Sequence, residues 1–137
     1  MVVNGMEELR VKPWLSQYPE QIPTTLDENF DLLPNYLKQT ASKYPSKKAL
    51  NFLGKSMTFH DIYIQSLRFA NYLRNIGIKK GDRVAIMLPN SPQAVIAYYG
   101  ILFAEAIIVQ TNPLYTEREL EYQMNDSGAK AIICLDL

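Results

Sequence analysis

One cysteine, Cys134, stands in the whole chain of 137 residues. A lone thiol cannot close an internal disulfide, so packing must hold the fold, and a reducing compartment is expected. Histidine is equally scarce, with His60 alone. No His or Cys pair stands at ligand spacing, so no metal site is expected. Neither sign of charge is in excess: 14 basic residues face 14 acidic ones. A nucleic-acid footprint needs a basic excess on one face, so nucleic acid is not an expected partner. Long apolar runs are missing too. The longest, Ala94–Val109, has 16 residues and contains Gly100 and Glu105. That is short of the roughly 20 residues a membrane-spanning helix needs. Met1–Leu9 carries Glu7 and Glu8 and no apolar core of the secretory-leader kind. A cytoplasmic setting is the expectation.

What is present suffices for a packed domain. Hydrophobic residues make up 47% and charged residues 20% of the chain, well away from the composition of disordered segments. Residues 1–29 hold Pro13, Pro19 and Pro23 with little periodicity, and are expected to form an extended arm. Trp14, Leu15, Tyr18 and Ile22 are too apolar for a free tail, so the arm is expected to lie on a surface of this domain or of a partner. Asn29 or Asp31 is expected to cap a helix to about Tyr44, with Leu33, Tyr36, Leu37, Thr40 and Ala41 on one face. Lys48–Leu53, Gly54-Lys55 and Ser56–Thr58 predict a hairpin.

Thr58 followed by Asp61 is a near capping box, and apolar residues from Phe59 to Ile76 recur at helical spacing, ended by Gly77. Arg83–Leu88 is a continuous apolar strand of the kind buried on both faces. Ser91 and Pro92 open a helix to about Ala104 that is apolar almost all round and is expected to be buried. Ala106–Gln110 is expected to be a second buried strand. Thr116 and Glu119 form a capping box, Tyr115 and Leu120 can staple across it, and Gly128 ends that helix. Ala131–Leu135 is a third strand. From Arg83 onward the order predicts a parallel βαβαβ unit with right-handed crossovers. Two or three helices barely cover such a sheet, and its edge looks unfinished at Leu137, as in part of a larger domain.

Chemistry is thinly represented. The turn after the first parallel strand, Leu88-Pro89-Asn90-Ser91-Pro92, has no glycine, and its two prolines remove amide donors. It suits a structural junction better than an anion site. His60 follows a helix cap and is expected to face solvent, with only Asp61 near it. Cys134, in an apolar strand, is expected to be an inert core thiol. Lys79, Lys80 and Arg83 form a small basic cluster, read as a solvated loop over a membrane or CoA contact. Tyr98, Tyr99 and Phe103 on the apolar helix are expected in the core. Asn112-Pro113 follows a strand's carboxyl end, where open α/β sheets hold ligands, although turns favour the same pair. Taken residue by residue, the chain is an α/β domain without a recognisable active site.

Several segments carry a resemblance that goes further. Met57–Ile62, Lys80–Asn90 (KGDRVAIMLPN) and Leu102–Pro113 resemble core motifs of the adenylate-forming superfamily. Thr111–Leu120 and the opening Trp14, Tyr18-Pro19 and Ile22-Pro23 are similar to its bacterial long-chain fatty-acid–CoA ligases. The resemblance covers nearly the whole chain in order. It implies an incomplete acyl-CoA-synthetase-like α/β fold: the arm at 1–29, then a partial N-terminal domain at 30–137 with its βαβαβ unit at 83–137. For the full-length family it implies fatty acid, ATP, Mg2+ and CoA: an acyl-adenylate forms with release of pyrophosphate, and CoA then displaces AMP. The matched segments are scaffold, so no catalytic, cofactor-binding or metal-ligating residue carries over onto this chain. The chain alone is expected to be inactive. A non-catalytic module that pairs with itself or a full-length ligase, and a CoA ligase for another acid, stand as rival readings. Homodimerisation and peripheral membrane contact are the further partner alternatives. One departure is Glu105, where the family usually has glycine: glutamate must accept positive φ there or the junction must shift.

Overall fold

The computed structural model describes residues 13–25 and 30–136. The chain divides into two units, Met1–Phe30 and Asp31–Leu137. Residues 1–12 and 26–29 of the expected arm, with the proposed cap Asn29, lie outside the described residues. The described part of the first unit is not simply extended. Pro13–Gln17 is a 3-10 helix, Ser16 Oγ donates to the Pro13 carbonyl at 2.8 Å, and the Ile22 N–H donates to the Pro19 carbonyl at 2.9 Å. Pro13 opens the 3-10 helix because its fixed φ suits the first position of a helical turn.

The second unit contains α1 (Leu33–Lys43), a hairpin of β1 (Lys48–Phe52) and β2 (Lys55–Thr58), then α2 (Phe59–Asn75). After these come β3 (Arg83–Met87), α3 (Pro92–Phe103), β4 (Ile107–Gln110), α4 (Glu117–Ser127) and β5 (Ala131–Cys134). The last three strands form a parallel sheet in the order β4-β3-β5. This is the βαβαβ unit expected from Arg83 onward. Successive crossovers step in opposite directions across β3, so right-handed connections put α3 and α4 on opposite faces. No helix among the described residues is long and apolar enough to cross a membrane.

Local signals explain most boundaries. Thr58 and Asp61 complete a capping box on α2, and Thr116 and Glu119 complete one on α4. α2 ends in a Schellman motif: Gly77, at φ 97°, donates to Arg74, and Ile78 donates to Leu73. α3 ends the same way, with Glu105 donating to Leu102 and Ala106 to Ile101. Glu105 occupies the left-handed position there at φ 60°. At the start of α1 the outcome differs from expectation. Leu32 is the cap residue and makes no side-chain bond. Asp31, one residue earlier, accepts from the Leu32 N–H and the Asn35 amide, both at 2.7 Å. Only Leu37 and Ala41 of the expected α1 face are buried; Leu33 and Tyr36 are exposed.

The core gathers Ala70 and Leu73 of α2, Val84 and Ile86 of β3, and Ala97 and Ile101 of α3. α2 and α3 share the most extensive contact between elements. Their closeness depends on Gly100, where a methyl group would lie 2.7 Å from Phe69 Cδ1 and 3.1 Å from the Ser66 carbonyl. α3 is less buried than its all-apolar sequence predicted: only Ala97, Gly100 and Ile101 are fully inside. β3 is buried on both faces as expected, but β4 and β5 are not. Ile107 is 49% and Ile132 41% exposed. α4, the helix that joins these two strands, buries none of its own residues.

Candidate functional site

Parallel sheets place ligands beyond the carboxyl ends of their strands. At that end a cleft of about 530 Å³ opens between β1 and the first two turns of α3. Three chain segments build it. Leu50, Asn51 and Phe52 of β1 form one wall, the β3–α3 junction Asn90-Ser91-Pro92 forms the rim, and Tyr98, Tyr99 and Gln110 lie opposite. Ser91 Oγ accepts from the Ala94 N–H at 3.2 Å and Pro92 has no N–H, so this helix start offers little to an anion. Tyr98 and Tyr99 meet edge to face at 5.8 Å. Gln110 ends β4, and its carbonyl accepts from Gln123 Nε2 of α4 at 2.9 Å.

The lining is apolar and aromatic, with three carboxamides and one aliphatic hydroxyl as its other polar groups. None of these side chains is a carboxylate, imidazole, thiol or amine. Such a cleft can hold and orient a neutral group. It holds no carboxylate or imidazole to act as general acid or base.

The residues singled out in the sequence fall in several places. Tyr98 and Tyr99, expected in the core, line the cleft; Tyr98 also packs on the core. Phe103 does face inward, edge-on to Tyr63 at 5.7 Å. Asn112-Pro113 lies outside the cleft and forms a turn, Asn112 Oδ1 accepting from the Leu114 N–H at 3.0 Å. Lys79, Lys80 and Arg83 stand at the amino end of β3, opposite the ligand-binding end. Lys80 pairs with Glu105 at 2.8 Å, and Asp82 pairs with Lys130 at 2.7 Å. These bonds hold the Glu105 and Asp82 carboxyls below the usual carboxylate range. His60 is exposed on the first turn of α2. Cys134 is exposed rather than in the core, because the outer face of edge strand β5 is uncovered. Among the described residues no three His, Cys, Asp or Glu side chains converge on a metal position. The contribution of β1 to the cleft had no sequence signal, since it arises from packing across more than thirty intervening residues.

Comparisons with known proteins agree on one family. A family model described as AMP-binding enzyme matches residues 37–136. The long-chain-fatty-acid–CoA ligase of Bacillus subtilis (strain 168) is 54% identical over 126 residues, 92% of this chain and 22% of that protein. The enzyme of the same name from Escherichia coli O157:H7 is 45% identical over 124 residues, 89% of this chain and 22% of that protein. The chain thus spans about a fifth of the length of the curated relatives it matches. Among solved structures, the N-terminal subdomain of Klebsiella oxytoca NpsA superposes with a TM-score of 0.75 at 26% identity, over 79% of this chain and 28% of that one. The N-terminal domain of FACL13 from Mycobacterium tuberculosis gives 0.73 at 30% identity, over 77% and 27%.

Proposed function

The chain belongs to the AMP-binding enzyme family, and on that premise we propose that it forms the N-terminal portion of a long-chain fatty-acid–CoA ligase. The observation that carries this reading is the 54% identity to the Bacillus subtilis ligase across nearly the whole chain. The full enzyme would join fatty acid and ATP to an acyl-adenylate, releasing pyrophosphate, then transfer the acyl group to CoA and release AMP. Cytoplasmic residence fits the exposed single thiol.

Within that enzyme the described residues serve as scaffold. They do not fit a triphosphate with its magnesium. The β3–α3 turn has prolines where a cradle needs amides, and no cluster of carboxylates converges. No step of the reaction is therefore assigned to them. The β3–α3–β4 unit would carry one wall of a neutral cleft and leave nucleotide chemistry to other segments.

Two measurements test this. The pure 137-residue chain, given ATP, magnesium and a fatty acid, should release no pyrophosphate; fatty-acid-dependent release would overturn the scaffold role. Exchanged for the matching segment of the Bacillus ligase, it should preserve fatty-acid-dependent release. A folded but inactive chimera would argue against a fatty-acyl parent. The rival reading, a module that pairs with itself or with a full-length ligase, draws on the outer edges of β4 and β5, which pair with no further strand among the described residues. A monomer in light scattering that fails to bind a full-length ligase would remove it.

A further inference from the structure

The parallel sheet has one finished face and one unfinished one. Val84, Ile86, Ile108, Ala131 and Ile133 pack into the core on one side. On the other side Ala85 of β3 stands in register between Val109 of β4 and Ile132 of β5. Side chains alternate along a strand, so Ile107 and Cys134 share that second face. Ala85 is fully buried at its centre, whereas Ile107, Ile132 and Cys134 at its flanks are exposed. The core side needs nothing more: Ala70, Leu73, Val84 and Ile101 are fully buried, and the capping boxes of α2 and α4 close on residues of their own helices.

The edges match the uncovered face. β4 reads Ile-Ile-Val-Gln and β5 reads Ala-Ile-Ile-Cys, with no charge, proline or glycine in either. Each pairs with β3 over four residues without a register shift. Edge strands that meet water are ordinarily blunted by lysine, proline or a bulge. These two have none of those devices, so they are edges that another layer covers.

Charge argues against a second copy as that layer. α4 carries Glu117, Glu119, Glu121 and Asp126 against Arg118 alone, all of them exposed. Its right-handed crossover puts it on the same side as Ala85. A two-fold dimer through this face would set one acidic helix against its twin, because each copy presents the same patch. The fitting partner is apolar over Ile107 and Ile132 and basic beside α4. Length says where such a partner comes from. This chain spans 22% of the Bacillus subtilis ligase, so most of that enzyme is made of other segments.

We propose that the outer edges of β4 and β5, with Ile107, Ile132 and Cys134, seat the remaining segments of the ligase, and that they accept those segments as a separate polypeptide. The 137-residue chain would then reassemble an active enzyme in trans. This inference rests on the ligase reading. It differs from pairing with a full-length ligase, whose own copy of this segment already occupies the seat.

The test is co-expression of the 137-residue chain with a Bacillus subtilis ligase from which the matching stretch has been deleted. The two should co-purify and release pyrophosphate when given fatty acid, ATP and magnesium, while each alone releases none. Alkylation of Cys134 by iodoacetamide, followed on its own peptide by mass spectrometry, should slow by about 10-fold or more in the complex. Ile107→Asp and Ile132→Asp should each lower co-purification by about 10-fold, because docking would bury an unpaired carboxylate. Tyr72→Asp, at an exposed position of α2 away from the sheet, should not. Circular dichroism checks that the variants are folded; where one is not, Cys134 protection in the unaltered chain decides. Failure of the two pieces to co-purify, unchanged Cys134 alkylation in the complex, or a folded Ile132→Asp that assembles like the original would overturn the proposal. So would a homodimer that excludes the deleted ligase. The covalent exchange described under Proposed function separates the two failures: an active chimera with no assembly in trans overturns this inference alone, whereas an inactive folded chimera counts against the ligase reading.

Discussion

Lys80 and Glu105 meet across two turns of the chain, Nζ lying 2.8 Å from Oε2. The same turns are joined through the backbone, where the Gly81 N–H donates to the Glu105 carbonyl at 2.9 Å and Ile107 donates to Asp82 at 2.8 Å. Glu105 is therefore held from both sides in a left-handed conformation that glycine adopts freely.

Glu105→Gly should stabilise the chain, because relief of an unfavourable φ outweighs loss of an exposed ion pair. Thermal denaturation is expected to show a midpoint raised by about 4 °C. Glu105→Ala, which keeps the strain and loses the pair, should melt lower than the unaltered chain. A Glu105→Gly midpoint equal to or below that of Glu105→Ala would show that the junction carries no strain.

Acid should destabilise the fold through this region and through two helix caps. Lys130 and the Lys79 amide lower the Asp82 carboxyl, Lys80 lowers Glu105, and Thr58 and Thr116 lower Asp61 and Glu119. A carboxyl whose folded pKa lies below its unfolded value contributes fully above the unfolded pKa, and the contribution disappears as pH falls through the folded one. Melting temperature should thus hold above about pH 5 and decline below about pH 4. Asp82→Asn should flatten that decline; an unchanged slope would show that Asp82 is not among its causes.

The α2–α3 contact makes two opposite predictions. Gly100→Ala forces a methyl group to within 2.7 Å of Phe69 and should cost about 1–3 kcal/mol in chemical denaturation. Ser66, fully buried beside it, leaves its hydroxyl without a hydrogen-bond partner. Ser66→Ala removes that buried donor and should stabilise by about 1 kcal/mol. A loss of stability in Ser66→Ala would mean that the hydroxyl is satisfied in solution.

Cys134 should react promptly with Ellman's reagent in the native chain, since it is exposed on an edge strand. Reaction only after denaturant is added would restore the core assignment first expected from its apolar neighbours.

The contrast between these residues marks what could be read in advance. Both capping boxes, the Gly77 stop and the strand-helix alternation are local, set by residues within four positions of one another, and the structure follows them. The resemblance at Leu102–Pro113 marked Glu105 as a residue that must accept positive φ or shift the junction, and it takes the first course. The exposure of Ile107, Ile132 and Cys134 was not legible, because a strand's own residues do not say what covers its far face. The cleft was hidden for the same reason. Tyr98 and Tyr99 have a core-like sequence context, and only the hairpin, brought back from position 50, turns their side of α3 into a wall. Asp31, one of the two residues expected to cap α1, instead serves the helix from one position outside the cap.

Within the parallel sheet, Ala85 is fully buried while its neighbour in register on β5, Ile132, is 41% exposed. One strand spacing, about 4.8 Å, separates a dry centre from a wet flank. Thermal fluctuations should therefore unzip this sheet from its two margins inward. Deuterium should enter the amides of β4 and β5 long before those of β3, so the middle strand alone would record the opening of the whole fold.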